Sequence, residues 1–480
     1  KSEEVSNSDW AVKAPAYAGG YAGKIDLGSL ATVGDSVSLL DIVGLDNILS
    51  ALSVVESRLE QCDVTGKSGG FNVKASNVTE EKTVTSATVG SAGGFAGEIN
   101  GAWLNGCDAG NYEYIEGVVS AGGYAGTVQP GDMVSLLEGQ TNILEIVNAS
   151  GLLSALKTFI PRIYNSSTAA VPCGGYIEAT GTSVDEQLKG MAGGYVGYNQ
   201  GGRIWGNVKT DPADVPEQSA VLKDQKTATT HRVREVVGVE FAGGFTGLMK
   251  SANLVDSGSV KLLPTAEGAA AELSVPVSAL EVVYAIQTNT QTTGPLRGLD
   301  EDTWKAWVAA VGSSGVYGEE LVQASYGNLA QYIYGYTVTA KAEDEGSSLV
   351  DGGSAGGYVG RMEAGVITNA YAQDVKAVTA FRSAGGFAGE METGSVANVG
   401  SIKIAEIDLT GNLPIVKSFV PVVYASRVDG YQSGMTIKTT SDTENSAIGN
   451  AGGFVGVAYG AQLWNEIPED EDLEFVRVTE

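Results

Sequence analysis

Apolar and polar positions follow two different periods along this chain. In "SGGFNVKAS" (68–76), "CGGYIEATG" (173–181), "YGYTVTAKA" (334–342) and "YQSGMTIKT" (431–439), aromatic and β-branched residues alternate with polar ones. That is the two-residue period of a strand with one buried face. Other stretches run at helical spacing. In "SVSLLDIVGLDNILSALSVVESRL" (36–59), Leu39, Leu40, Ile42 and Val43 return with Ile48, Leu49 and Leu52, the spacing of an apolar helix face. "MVSLLEGQTNILEIVNASGLLSALKTFIPRIY" (133–164) repeats this up to Pro161, which stops or kinks a helix. With a long third stretch and "LTGNLPIVKSFVPVVYAS" (409–426), they mark four apolar inserts at about 27–60, 131–166, 258–334 and 400–428. The pattern predicts each as mostly α-helical and places all four on one flank.

Glycine ties the strand-like runs together. "SAGGFAGEI" (91–99) returns as "SAGGYAGTV" at Ser120, "SAGGYVGRM" at Ser354 and "SAGGFAGEM" at Ser383, with looser copies at Ala18, Ala192, Ala242 and Ala451. Counted by first glycine, the copies stand at 19, 93, 122, 193, 243, 356, 385 and 452, so the gaps are 74, 29, 71, 50, 113, 29 and 67. Long and short gaps alternate, which groups residues 1–480 into one array of about four units with two motifs each.

Short strands between glycine turns, stacked on neighbours of the same kind, define a solenoid. Each turn would lie on the one below at about 4.8 Å. The aromatic residue of each motif, Tyr21, Phe95, Tyr124, Tyr195, Phe245, Tyr358, Phe387 and Phe454, is expected in one interior column. The glycines beside it would let the backbone turn at positive φ and approach its neighbour closely, and the small alanine fills a narrow core without overpacking. The fold class is therefore an all-β solenoid, a parallel β-helix carrying the four inserts. Roughly 300 residues outside the inserts, at 20–30 per turn, give a coil on the order of 50–70 Å long.

Composition narrows the function. The chain has 480 residues, 66 Gly, 12 Pro and a formal net charge of −28, too apolar for disorder and too acidic for a nucleic-acid binder, which needs a basic patch. The same charge opposes docking on anionic membranes. No run of roughly 18 apolar residues encodes a span. Cys62, Cys107 and Cys173 are too few for a disulfide scaffold.

"GGYVGRMEAGVITNAYAQ" (356–373) and "GGFAGEINGAWLNGCDAG" (93–110) resemble the GLUG motif of bacterial cell-surface proteins, and the likeness covers all eight motif sites. The resemblance implies a right-handed β-solenoid in large secreted, often wall-anchored, adhesin-like proteins, some with an enzymatic domain elsewhere. The inserts depart from the bare motif. Cys62 in "EQCDVTG" and Cys107 in "NGCDAG" occupy like frames, as buried thiols of one column or as a disulfide; the family pattern, which often has Cys there, favours packing.

Catalytic motifs fail on inspection. Gly352-Gly353-Ser354-Ala355-Gly356 matches a nucleophile elbow, but Ser354 recurs as Ser91, Ser120 and Ser383, and the chain has one histidine, His231. "TGKSGG" at Thr65 lacks the first P-loop glycine, Gln61 standing in its place. One histidine and no CxxC exclude a zinc site. The acidic loops 341–347 and 468–474 offer oxygen ligands for Ca²⁺ without EF-hand spacing. Trp304, Trp307, Tyr317, Tyr326 and Tyr332 (with Tyr334) crowd the third insert, either as a contact surface, since Trp and Tyr are enriched in binding hot spots, or as the insert's own core.

The expectation is a non-catalytic extracellular segment of a large bacterial surface protein, a stalk or adhesive surface without a cofactor. Its partners would be a host or neighbouring-cell protein or glycan and further copies of its own repeat. The alternatives are the non-catalytic solenoid of a surface enzyme, or a β-helix carbohydrate-active enzyme. "SNSDWAVKAPAYAGGYAG" (6–23) resembles the tail of the passage that leads from Trp205 into the motif at Gly243, with Trp10 in the place of Trp205 and Trp464, so the repeat reads as cut mid-unit at both termini, with export signal and wall anchor outside it.

Overall fold

The computed structural model describes residues 11–27, 56–76, 89–131, 159–181, 190–206, 228–253, 259–262, 273–276, 282–297, 299–311, 326–328, 335–341, 353–393, 420–431, 434–441 and 449–467. One motif builds one turn of chain. In the second turn, Ser91–Gly93 lies in a first sheet (I), Ala96–Asn100 in a second (II), Trp103–Asn105 in a third (III) and Ala109–Gly117 in a fourth (IV). Ser120–Gly122 then re-enters sheet I, 29 residues on. Among the described residues the chain passes through sheets I, II and III in this order eight times. Sheets I, II and III hold eight strands each, and sheet IV holds thirteen because most of its passes break in two.

Every pairing within these four sheets is parallel and joins a turn to the next, as in Ser91↔Ser120, Ser120↔Met191 and Met191↔Phe241. This cyclic order fits a parallel β-solenoid. The repeating element of the fold is a single motif; the pairing of motifs into four units reflects alternating connections, described below.

The eight motif rings form one stack. From Tyr21 through Phe95, Tyr124, Tyr195, Phe245, Tyr358 and Phe387 to Phe454, successive centroids lie 4.7–5.1 Å apart with interplanar angles of 2–5°. The six inner rings are fully buried. Beside them run Ala92, Ala121, Ala192, Ala242, Ala355 and Ala384 of sheet I, Ile99, Val128, Met249, Met362 and Met391 of sheet II, Leu104, Ile163, Ile204 and Ile367 of sheet III, and Val73, Ile115, Ile177, Val236, Val338 and Val378 of sheet IV. Seven steps between eight turns make the ring stack about 34 Å long. The 50–70 Å expectation is thus too long: connections beyond the four inserts, such as 207–227, take up chain that was assigned to turns.

The motif glycines serve close approach and not positive φ. None of Gly93, Gly94 and Gly97 has a left-handed backbone. A Cβ on Gly93 would lie 2.0 Å from the Ala96 carbonyl oxygen, one on Gly94 2.2 Å from that of Gly123 in the next turn, and one on Gly97 2.8 Å from that of Ser91 across the bend. Strands I and II meet face to face in a tight arch, and only a residue without a side chain fits there. Left-handed residues sit elsewhere, one set of them at the corner between sheets III and IV, where Gln61, Gly106, Asn165, Asn289, Asn369 and Ala425 all have φ between 44° and 62°. Asparagine tolerates this region, and the side-chain amides link neighbouring turns, Asn165 to Asn105 at 3.3 Å and Asn369 to Asn289 at 3.2 Å.

The connection from sheet II to sheet III alternates strictly. In turns 2, 4, 6 and 8 it is two residues, 101–102, 201–202, 363–364 and 460–461; in turns 1, 3, 5 and 7 it is 26–57, 130–161, 251–285 and 393–420. The long connections all leave and rejoin the coil at this one corner. Their interiors in turns 1, 3 and 7 lie outside the described residues, and so does the helical expectation for them. In turn 5 the connection carries two antiparallel pairs, Ala252–Asn253 with Val282–Val283 and Ser259–Leu262 with Leu273–Pro276, where a helix was expected.

The third insert is also not one excursion. Ile286–Thr288 and Thr290–Thr292 are strands of sheets III and IV. The aromatic segment after them, including helix α1 (Glu301–Val311), loops out within the sheet IV pass, at a different place on the coil. Arg58–Glu60, Arg162–Tyr164 and Pro421–Tyr424, inside the ranges 27–60, 131–166 and 400–428, likewise belong to sheet III.

Candidate functional site

The outer face of sheet IV concentrates partly exposed aromatic and charged side chains. Its strands bury Ile115, Ile177 and Val236 and leave the residue before each, Tyr114, Tyr176 and Glu235, partly exposed. Parallel in-register pairing then converts each outward position into a column along the coil. One column carries Tyr114, Tyr176 and Glu235, the next Lys74, Glu116 and Glu178.

Ring centroids of Tyr114 and Tyr176 lie 6.4 Å apart, and the Arg234 guanidinium stands 5.0 Å over the Tyr176 ring. Glu116 and Glu178 would repel one another as stacked carboxylates. Lys74 pairs with Glu116 at 2.7 Å, Lys341 pairs with Glu178 at 3.3 Å, and the Tyr114 hydroxyl donates to Glu178 at 2.5 Å. Burial, with that carboxylate second, pushes the Tyr114 hydroxyl far above its ordinary pKa. Partial burial also raises Glu235, against the pull of Lys341 and Arg234. Further along the sheet, Arg427 stacks 3.8 Å over Tyr371, whose hydroxyl donates to Asp429. Such a face can hold a flat polar ligand by ring contact and charged hydrogen bonds.

The residues singled out in sequence fall elsewhere. Trp304 and Trp307 are buried with Val171, Cys173, Leu296 and Leu299, the seat of helix α1 on the coil. Tyr326 is partly exposed and donates its hydroxyl to the Leu299 carbonyl at 2.7 Å. Tyr317 and Tyr332 lie outside the described residues, as do 342–347 and 468–474. Among the described residues no three His, Cys, Asp or Glu side chains gather to hold a metal ion. The sheet IV residues were missed because each alternating run looks like ordinary strand; the shared signal was a tyrosine two residues before a glutamate, "YIE" at 114–116 and again at 176–178.

Ser354 is fully buried and donates to Glu390 at 2.7 Å. Ser91, Ser120 and Thr127 make a related hydroxyl cluster at 2.8–3.0 Å. These hydroxyls close the I–II arch, and none meets a histidine. His231 stands in sheet IV, and burial, aided by Arg232, lowers it to a pKa of about 4. Cys62 and Cys107 stack on adjacent turns as free thiols, with the Cys62 amide donating to the Cys107 sulfur at 3.5 Å; burial raises Cys107 to about 12. No family model, no curated protein and no solved structure matches this chain.

Proposed function

We propose that this chain is a non-catalytic, extracellular right-handed β-solenoid segment of a large bacterial surface protein, akin to the GLUG-motif proteins it resembles. It serves as a rigid stalk and presents the outer face of sheet IV to a glycan or protein on a host or neighbouring cell. The observation that carries the reading is the in-register repetition of Tyr114 on Tyr176 and of Glu116 on Glu178, with Glu235 next in the tyrosine column and Arg234 over the Tyr176 ring, on a partly exposed face of a coil whose interior is a continuous ring stack. Groups repeating at about 4.8 Å suit an extended ligand read along its length.

A glycan array probed with the 480-residue chain, followed by the Tyr114→Ala/Tyr176→Ala double variant, tests this. Binding that falls at least tenfold in the double variant supports it. Binding left intact by the double variant would remove sheet IV as the contact face.

A further inference from the structure

We infer that Cys62 and Cys107 form an intramolecular disulfide site, closed in the oxidising surroundings of a surface protein and stapling turn 1 to turn 2. It rests on the extracellular reading for its oxidant, but not for its geometry. Arg58, Leu59 and Glu60 pair with Trp103, Leu104 and Asn105, and Val64 and Thr65 pair with Ala109 and Gly110. The same offset on both sides sets Cys62 opposite Cys107. Each follows a left-handed residue, Gln61 at φ 52° and Gly106 at φ 62°, so the two side chains leave the backbone in the same sense. The turn spacing of about 4.8 Å falls inside the roughly 4.4–6.8 Å that separates the Cα atoms of a disulfide.

Hydrogen bonds along this column separate a staple from ordinary packing. In turn 3 the place is taken by Ser166, whose hydroxyl accepts from the Cys107 amide at 3.0 Å and donates to the Tyr164 carbonyl at 2.8 Å. Ser426 repeats both contacts in turn 7, with the Ala370 amide at 3.1 Å and the Tyr424 carbonyl at 2.8 Å. Where the column has only to hold an amide of the turn before, the chain uses serine. Cys107 makes the same contacts at longer range: its sulfur accepts from the Cys62 amide at 3.5 Å and lies 3.6 Å from the Asn105 carbonyl oxygen. Sulfur is also the weaker acceptor. The Cys107 sulfur lies 3.4 Å from the Leu59 carbonyl oxygen as well, so it already rests on the backbone of turn 1. Cys62, whose thiol donates to the Glu60 carbonyl at 3.4 Å, has to rotate about χ1 to meet it. Cys173 lies apart, buried with Trp304 and Trp307 at the seat of helix α1.

Exposure sets the order of events. Cys62 is half-buried, whereas Cys107 is buried and its thiol is pushed up to about 12, so Cys62 meets an external disulfide first. Its thiolate attacks one sulfur of that disulfide, and the departing thiolate takes up the proton Cys62 lost. The other half of the reagent stays bonded to Cys62. The Cys107 sulfur then displaces that half, which leaves as a thiol with the Cys107 proton. Two protein thiols and one external disulfide become one protein disulfide and two external thiols. The ring stack fastens turn 1 to turn 2 at the I–II arch through Tyr21 and Phe95; the disulfide fastens them at the III–IV corner, after the long connection 26–57. Closing the chain between 62 and 107 stabilises the fold by restricting the unfolded state.

Oxidising the reduced 480-residue chain with glutathione disulfide, followed by peptide mapping, tests the site. The expected result is one free thiol in the denatured chain where the reduced chain has three, with peptide 59–67 joined to the peptide that carries Cys107. The urea midpoint should rise on oxidation. Cys62→Ser and Cys107→Ser should each abolish that rise, in a column that already accepts Ser166 and Ser426, while Cys173→Ser should keep it. Three free thiols after oxidation, a bond from Cys62 to Cys173 or to a second chain, or a midpoint that oxidation leaves unmoved each overturns the staple. Export is read separately, by protease treatment of intact producing cells. An exported chain recovered with both thiols free overturns the staple and spares the surface reading. A chain retained inside the cells, whose thiols still pair in glutathione disulfide, overturns the surface reading and supports the site.

Discussion

At the residue scale the motif is a set of steric permissions around one ring. Gly123 shows this: a Cβ there would lie 2.1 Å from the Gly194 carbonyl oxygen in the next turn, while one on Gly69 would meet nothing within 4 Å. Gly123→Ala is expected to lower the urea midpoint by the equivalent of about 3 kcal/mol or to prevent folding, since overpacking against backbone has no flexible partner to yield. Gly69→Ala should leave the midpoint within about 0.5 kcal/mol. Equal effects of the two would show that the glycines act through flexibility. The ring column was legible because an aromatic at a fixed offset from glycine needs no other information. The reason for the glycines was not, because sequence cannot distinguish a residue needed for its φ from one needed for its missing side chain.

His231 adds a pH dependence at the same scale. Its folded pKa of about 4 lies below the ordinary imidazole value of 6.5, so between those values the unfolded chain holds a proton that the folded chain refuses. The stability tied to this site is complete above pH 6.5 and is lost as pH falls to about 4, by at most roughly 3 kcal/mol. His231→Gln should flatten the plot of unfolding free energy against pH in that window. An unchanged slope would assign the acid sensitivity to other groups.

At the element scale, the circuit of four strands follows from alternation and glycine, whereas where a connection leaves it does not. Helix α1 illustrates the difference. Asp300 caps it, accepting from the Thr303 amide and hydroxyl at 2.7 Å each, a start signal written in "DEDT". Trp304 and Trp307 then face Val171 and Cys173 of turn 3, more than 120 residues earlier. Aromatic crowding read either as a contact surface or as the insert's own core, because nothing local reveals that distant seat; contact between such remote residues exists only once turns stack. Trp307→Ala is expected to detach the helix at a local loss of about 3–5 kcal/mol. It should expose 301–311 to proteolysis while the far-ultraviolet strand signal stays. Loss of the whole strand signal would mean that the helix is part of the coil's folding core.

At the scale of the whole molecule, the alternation of two-residue and long connections explains why the sequence repeats in pairs of motifs while the fold repeats in single ones. Adjacent turns are about 4.8 Å apart, and a compact layer of chain beside the coil, helix or sheet, is about 10 Å thick. A long connection can leave the II–III corner only on every second turn, and the chain places them on turns 1, 3, 5 and 7. Two deletions separate this rule from mere tolerance of shorter coils. Removing 94–193 joins Gly93 to Gly194 and takes out two whole turns, leaving the alternation and the motif intact. Removing 94–122 joins Gly93 to Gly123, takes out only one turn, and sets the connections 26–57 and 130–161 on neighbouring turns. The first chain, though it loses 100 residues, is expected to unfold cooperatively as a shorter coil, by circular dichroism and small-angle scattering. The second, losing 29, should be the less stable of the two, because its connections compete for one place on the flank. If the smaller deletion proves the milder, the spacing of the connections has no steric cause, and the two-motif period of the sequence records its duplication alone.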